Sequence, residues 1–457
     1  MDPQGDYYAP LERTFERIAT PFEEFIHRQS TSGLLLVATT ILALALANTA
    51  VAHAYEGLLH THLSIALGPW TLDHSIHHWI NDGLMALFFF LVGLEIKREV
   101  LVGELASLRR ATLPILAAIG GMVVPALIYL GINPEGAAAH GWAIPMATDI
   151  AFAVGILVLL GHRIPHGLIT FLVALAIVDD LGAVLVIALF YTEDIVLGAL
   201  GFAGLSLAVL VGLNLVGVRR PLPYFIVGGL LWLAMLESGV HATLAGILTA
   251  WTIPARAKFD PTTFSSQVRD LMDRFDARVQ PGRGLMRNPD QHALVQTLEN
   301  GVHMVETPLQ RLEHNLQLPV ALGIIPIFAL ANAGIPLHPE SLGDVLSQPV
   351  PLGIILGLVG GKTLGIAGTT LLADRLGIGQ LPTGVRPGHV VGLGLIAGIG
   401  FTMSIFISDL AFSDPETVVL AKTGILAASL VAGVGGLVWL GLVSRGQSPA
   451  GTAPERH

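Results

Sequence analysis

The sequence predicts an all-α membrane protein of about twelve transmembrane helices with a short external β-hairpin, and three observations predict it. The first is composition: 53% of the 457 residues are apolar and only 13% are charged. A soluble domain carries roughly 25% charged residues, and here the mean hydropathy is +0.68. The second is that apolar stretches of about 20 residues, enough to cross a bilayer, recur along the chain. The third is that Arg and Lys gather in every second connection between those stretches and are absent from the others.

Taken in order, the apolar stretches are 33–52, 79–96, 111–132, 140–161, 166–190 and 195–217. Residues 221–254 follow, broken only by Glu237, and divide near Ser238-Gly239 into two short helices. The last are 316–335, 350–373, 389–411 and 418–442. Numbered consecutively they are spans 1 to 12. Arg13, Arg17 and Arg28 precede span 1, and Lys97, Arg98, Arg109 and Arg110 lie between spans 2 and 3. Arg163 follows span 4, Arg219 and Arg220 follow span 6, and Arg256 to Arg311 lie between spans 8 and 9. Arg375 and Arg386 follow span 10, and Arg445 and Arg456 follow span 12. The alternate connections hold no Arg or Lys, and only Lys362 and Lys422 fall within spans. Basic residues collect on the cytoplasmic side, so both termini are expected in the cytoplasm.

This gives five segments: a cytoplasmic arm 1–30, spans 1 to 8 in 31–254, a polar cytoplasmic insert 255–315, spans 9 to 12 in 316–442 and a cytoplasmic tail 443–457. The arm mixes Asp, Glu and Arg with apolar residues and reads as amphipathic, not as a signal peptide. In 61–73, Leu63, Ile65 and Leu67 alternate, Gly68-Pro69 offers a turn and Trp70 and Leu72 resume, the pattern of an external hairpin. The insert ends in Leu298, Val302, Val305, Leu309, Leu312 and Leu316, a helical spacing that leads into span 9 with a bend expected at Pro308.

Composition also excludes functions. A net charge of −10 without a basic stripe gives no sign of nucleic acid as a partner, and the absence of cysteine removes disulfides and thiol chemistry. His53, His60, His62, His74, His77 and His78 cluster in the first outer connection without the i, i+4 pair plus acid of a metal helix. No resident cofactor is expected.

Charges inside an apolar span cost at least about 2.5–3.5 kcal/mol on insertion scales and are functional candidates by default. Asp149, Asp179, Asp180 and Lys362 stand out. Three acids cannot all pair with one base, so at least one carboxylate is expected to take a proton or a cation. Adjacent on a helix, Asp179 and Asp180 project about 100° apart. One can therefore face a cavity while the other meets Lys362. Carboxylate oxygens are hard ligands suited to small alkali cations such as Na⁺. Span 4 is interrupted at Pro145 and Thr148-Asp149, and span 11 at its glycines between Gly392 and Gly400. Paired broken spans point to a midplane ion site in transporters. Their free termini carry about half a charge each, which Asp149 at the N-termini and Lys362 at the C-termini would neutralise.

Several strings are similar to one family. Leu91-Val-Gly-Leu-Glu-Ile-Lys-Arg-Glu, Ala147-Thr-Asp-Ile-Ala-Phe, Ala174-Leu-Ala-Ile-Val-Asp-Asp-Leu-Gly-Ala and Ser238-Gly-Val-His-Ala-Thr-Leu-Ala-Gly resemble the NhaA family of Na⁺/H⁺ antiporters. So do Gly360-Gly-Lys-Thr-Leu-Gly-Ile and Gly398-Ile-Gly-Phe-Thr-Met-Ser-Ile-Phe-Ile, and the likeness runs from about 33 to 442. The resemblance implies inverted repeats over spans 3–5 and 10–12, with spans 4 and 11 broken and crossed; this family is a standing example of such repeats. It implies that Asp180 is the principal cation and proton carrier, that Asp179 is its neighbour able to pair with Lys362, and that Thr148 and Asp149 sit at the span 4 break. It ties Glu95, Arg98, Glu313 and His314 to pH-dependent activation, and matches His241 to a histidine suspected of sensing pH, which is read here as mainly structural. It further implies a homodimer formed through 61–73, and electrogenic exchange of Na⁺ or Li⁺ for more H⁺. The chain departs from the family pattern in a longer 255–315 insert, an extended N-terminal arm and Gln310 before Arg311 where a second base is common.

Other readings are an intramembrane aspartyl protease, an organic-anion symporter of similar architecture, and a channel or sensor. The first needs two carboxylates on different helices and a Gly-x-Gly-Asp sequence, where this chain has Val178-Asp-Asp-Leu-Gly. The second wants an Arg or an open polar cavity near the crossing, and the sequence offers neither.

Overall fold

Every one of the twelve apolar stretches contains helix in the computed structural model, which describes residues 29–68, 70–192, 195–257, 261–278, 289–337, 340 and 342–446. The N-terminal arm up to residue 28 and the tail beyond residue 446 lie outside the described residues. Among the described residues, seven helices are long and apolar enough to cross a membrane, or up to nine if each of two bent pairs is one span. These make the chain a multi-pass membrane protein. The other three expected spans fall short in length or polarity. Met85–Val102 carries Glu95, Lys97, Arg98 and Glu99, Pro221–Leu236 has 16 residues and Leu244–Thr252 has 9.

The chain divides into two units, the first built from residues up to Phe88, Glu99–Glu193 and the stretch from Leu318 onward. In this first unit, span 1 is the helix Gln29–Ala47, followed at 108° by Ala52–His60. The hairpin comes next, with strands His62–Leu67 and Trp70–Ser75 antiparallel in the register His62↔Ser75 to Leu67↔Trp70. Gly68 takes a left-handed conformation (φ 62°) at the turn, which a side chain would strain. Spans 3 and 5 are the uninterrupted helices Leu108–Ile132 and His166–Phe190. Span 10 begins as Pro349–Ile355, passes through a π-helical stretch Leu356–Gly361 and continues as Lys362–Arg375. Spans 3 and 10 cross backbone against backbone: a Cβ on Gly365 would stand 2.1 Å from the Gly120 carbonyl oxygen. Small residues allow this approach, and it holds Lys362 inside the unit. Span 12 is Pro415–Val443, capped by Asp414, whose carboxylate accepts from the Thr417 N–H at 3.0 Å.

The second unit comprises Phe89–Arg98 and Asp194–Gln317. Phe90, Leu94, Leu210, Tyr224, Leu231, Met235, Leu309 and Leu312 form its core. Spans 7 and 8 separate at Glu237, because Pro221–Leu236 ends there and Leu244–Thr252 starts only after the Gly239 turn (φ 81°). The Lys97 ammonium donates to the Trp251 and Ile253 carbonyls, satisfying the orphan acceptors at the end of that short helix. Within the insert lie helices Pro261–Asp276 and Pro289–Val305. Pro308 does more than bend the chain: one helix ends at Val305 and a new one starts at Pro308. Proline is preorganised for a first helical position. Thr307 and Gln310 close a capping box, the Gln310 N–H donating to Thr307 Oγ1 at 3.1 Å and the Thr307 N–H to Gln310 Oε1 at 3.4 Å.

Candidate functional site

Span 4 is a 3₁₀ helix, Ala137–Met146, then an extended break Ala147–Asp149, then the α-helix Ile150–Leu160. Span 11 is Pro387–Ala397, a break Gly398–Gly400 and Phe401–Ala411, bent by 47°. Both breaks fall where sequence placed them, and they bond to each other. The Asp149 N–H donates to the Ile399 carbonyl at 2.7 Å and the Thr148 hydroxyl to the Ala397 carbonyl at 2.9 Å. The Ser404 hydroxyl donates to the Ile144 carbonyl at 2.8 Å. Glycine is required in the span 11 break, since a Cβ on Gly398 would lie 2.4 Å from the Leu358 carbonyl oxygen of span 10. Backbone groups freed by the two breaks thus satisfy one another, in keeping with the need for non-helical backbone at membrane depth to be buried in protein or to line a hydrated cavity.

Asp149 serves two helix starts. Its Oδ1 accepts the Phe152 N–H at 3.1 Å, capping Ile150–Leu160. Its Oδ2 accepts the Thr402 N–H at 3.1 Å and the Thr402 hydroxyl at 2.5 Å, at the start of Phe401–Ala411. Two positive helix ends converge on one carboxylate.

On span 5, Asp179 and Asp180 are almost wholly buried, 1% and 2% exposed, and Lys362 is fully buried. The Lys362 Nζ stands 2.6 Å from Asp179 Oδ2 and within electrostatic range of Asp180. Thr148 faces the Asp179 carboxylate from the span 4 break. Asp149, Thr148, Asp179 and Lys362 are therefore joined through direct neighbours, and Asp180 is adjacent. The π-helical stretch ends at the residue before Lys362, a turn type frequent at functional sites.

The four residues that the resemblance led us to expect in pH activation, Glu95, Arg98, Glu313 and His314, lie in the second unit. Arg98 Nε donates to Glu313 Oε1 at 2.8 Å, Glu95 precedes Arg98 by one turn on the same helix, and His314 is exposed. Sequence reading missed Thr402, although it lies in a quoted motif. It also missed a second buried cluster of Asn81, Asn332, Asp409 and Lys422, for which the charges of Asp409 and Lys422 in or beside apolar spans were the available signal.

Apolar helices, two crossed breaks and buried charges at the crossing define a membrane transporter of small ions. The family described as Na⁺/H⁺ antiporter 1 matches residues 23–440. A Na⁺/H⁺ antiporter NhaA of Saccharophagus degradans is 53% identical over 94% of this chain and 93% of its own length. That of Sulfurimonas denitrificans is 53% identical over 96% and 99%, and that of Acidithiobacillus ferrooxidans 51% over 94% and 100%. The chain belongs to this family of Na⁺/H⁺ antiporters, which are transporters and not enzymes.

Proposed function

We propose that the protein exports Na⁺ or Li⁺ in exchange for a larger number of protons, by alternating access, with cation and proton competing for Asp180. The observation that carries this reading is the contrast between neighbours: Lys362 is held 2.6 Å from Asp179, while Asp180, next in the same buried helix, carries a second carboxylate. Asp179, Thr148 and Asp180 supply the hard oxygens for the cation, and Asp149 and Lys362 balance the ends of the broken helices. Twelve crossings, inverted repeats over spans 3–5 and 10–12, an inner-membrane location and cytoplasmic termini belong to the same reading, supported by the alternation of basic connections. The hairpin joins two copies, and Glu95, Arg98, Glu313 and His314 set the response to pH. Na⁺- or Li⁺-driven proton movement in everted vesicles tests the function; a protein that inserts well and gives none would overturn it.

A further inference from the structure

Away from the crossing, the first unit holds a second ion pair, largely shielded, to which the proposed exchange at Asp180 assigns no part. Lys422 Nζ on span 12 lies 2.8 Å from Asp409 Oδ1, near the end of Phe401–Ala411. Two amides extend it. Asn81 Nδ2 reaches Asp409 Oδ2 at 3.4 Å, and Asn332 Nδ2 donates to Asn81 Oδ1 at 2.8 Å. His77 Nε2 stands 2.9 Å from Asn332 Oδ1, and burial pushes its imidazole below the usual range, which leaves Lys422 and Asp409 as the opposed charges. Asn81 sits in the π-helical stretch Trp79–Leu84 and Asn332 ends the helix Ile325–Asn332. Four spans, 2, 9, 11 and 12, are tied at one level. Asp409 is seven residues beyond Thr402, about 10 Å along the helix, in the direction of a connection that holds no Arg or Lys. The same short helix therefore carries the Asp149 contact at one end and this cluster at the other.

We infer that Asp409 and Lys422, bridged by Asn81 and Asn332, form an outer latch that closes the cation path between the crossing and the external face. Opening outward requires the pair to part, and Phe401–Ala411 transmits that movement to Asp149 through Thr402. Asp409 and Lys422 are positioning residues: they set which side of the membrane reaches the site. Ionisable residues inside a membrane pair with one another, and a pair that only held the helices together would change stability without changing sidedness.

The inference rests on the alternating-access reading, so its test reads accessibility and not exchange. The chain has no cysteine, which makes a single reporter clean. Ile405 lies one turn inward of Asp409 on the same helix face and is 1% exposed. In Ile405→Cys, a charged, membrane-impermeant methanethiosulfonate applied from outside is expected to react slowly. Adding Lys422→Met or Asp409→Asn should speed the reaction about ten-fold or more, since a minor open state becomes a major one. The exchange Asp409→Lys with Lys422→Asp should slow it again. Should Lys422→Met fail to fold, Asn81→Ala and Asn332→Ala should each give a smaller increase. Folded variants that label within about two-fold of the reporter alone, or that speed labelling equally from the inner side, overturn the latch. The same increase in an Asp180→Asn background would show that the latch stands even where exchange has failed.

Discussion

Thr402 gives both its backbone N–H and its hydroxyl to Asp149 Oδ2, so that the start of one broken helix is fixed to the cap of the other. One carboxylate thus accepts from the starts of two helices, Ile150–Leu160 and Phe401–Ala411. Asp149→Ala would leave the Phe152 and Thr402 donors buried and unsatisfied. Hydrogen bonds to a charged group contribute about 1.5–3 kcal/mol each, so a loss of at least about 3 kcal/mol is expected. Asp149→Asn keeps one acceptor and should lose less. Melting in detergent measures both, and an alanine variant as stable as the parent would remove Asp149 from this role.

Lys362 and Asp179 form a buried pair at 2.6 Å. Removing one member strands the other at roughly 3–5 kcal/mol. Lys362→Ala should therefore lower the melting temperature markedly, Lys362→Arg should recover part of it, and adding Asp179→Asn to the alanine variant should restore stability. A double-mutant cycle reads the coupling; strictly additive losses would show that the two residues do not depend on each other.

Leu63 and Ile65 on the hairpin are each 52% exposed, and an isolated two-stranded hairpin is marginal in water. Pairing with a second copy would cover that edge. Deletion of 61–73 should give monomers that still exchange ions, measured by mass in detergent and flux in vesicles. A deletion that stays dimeric counts against the hairpin as the interface.

Asp414 caps span 12 from outside it, and its bonds to Thr417 hold the carboxyl below the usual range. A depressed acid stabilises the fold above its ordinary pKa and ceases to as pH falls through the folded value. Asp414→Ala should therefore melt below the parent at neutral pH, with the gap narrowing below about pH 4. A gap that stays constant down to about pH 3 would assign the difference to something other than the charged cap.

Most of the apolar helices were legible because a bilayer demands long apolar runs. The two interruptions were legible because Pro145 and Thr148-Asp149 in one run and the glycines from Gly392 to Gly400 in another break the pattern, without fixing the second break at Gly398–Gly400. The π-helical stretches at Trp79–Leu84 and Leu356–Gly361 were not. One extra residue in a turn leaves no trace in a run that is apolar on every face. Thr402 was hidden for a similar reason, since a threonine within a helix commonly bonds back to its own preceding turn; here it reaches across to Asp149. Asp409 was concealed by lying near a span end, where charge is ordinary. Pro308 was visible as an interruption, but its partners Thr307 and Gln310 turn that interruption into a new helix start. The same contacts give Gln310 a structural reason to replace a base.

The central claim is that Asp180 is the shared site of cation and proton. The direct measurement is Na⁺- and Li⁺-driven proton flux in vesicles carrying equal amounts of parent, Asp180→Glu and Asp180→Asn proteins, each with its melting temperature checked. The account predicts no exchange by the asparagine variant at parental stability, and weakened cation affinity with retained exchange by the glutamate variant. Substantial exchange by a well-folded Asp180→Asn protein would contradict it.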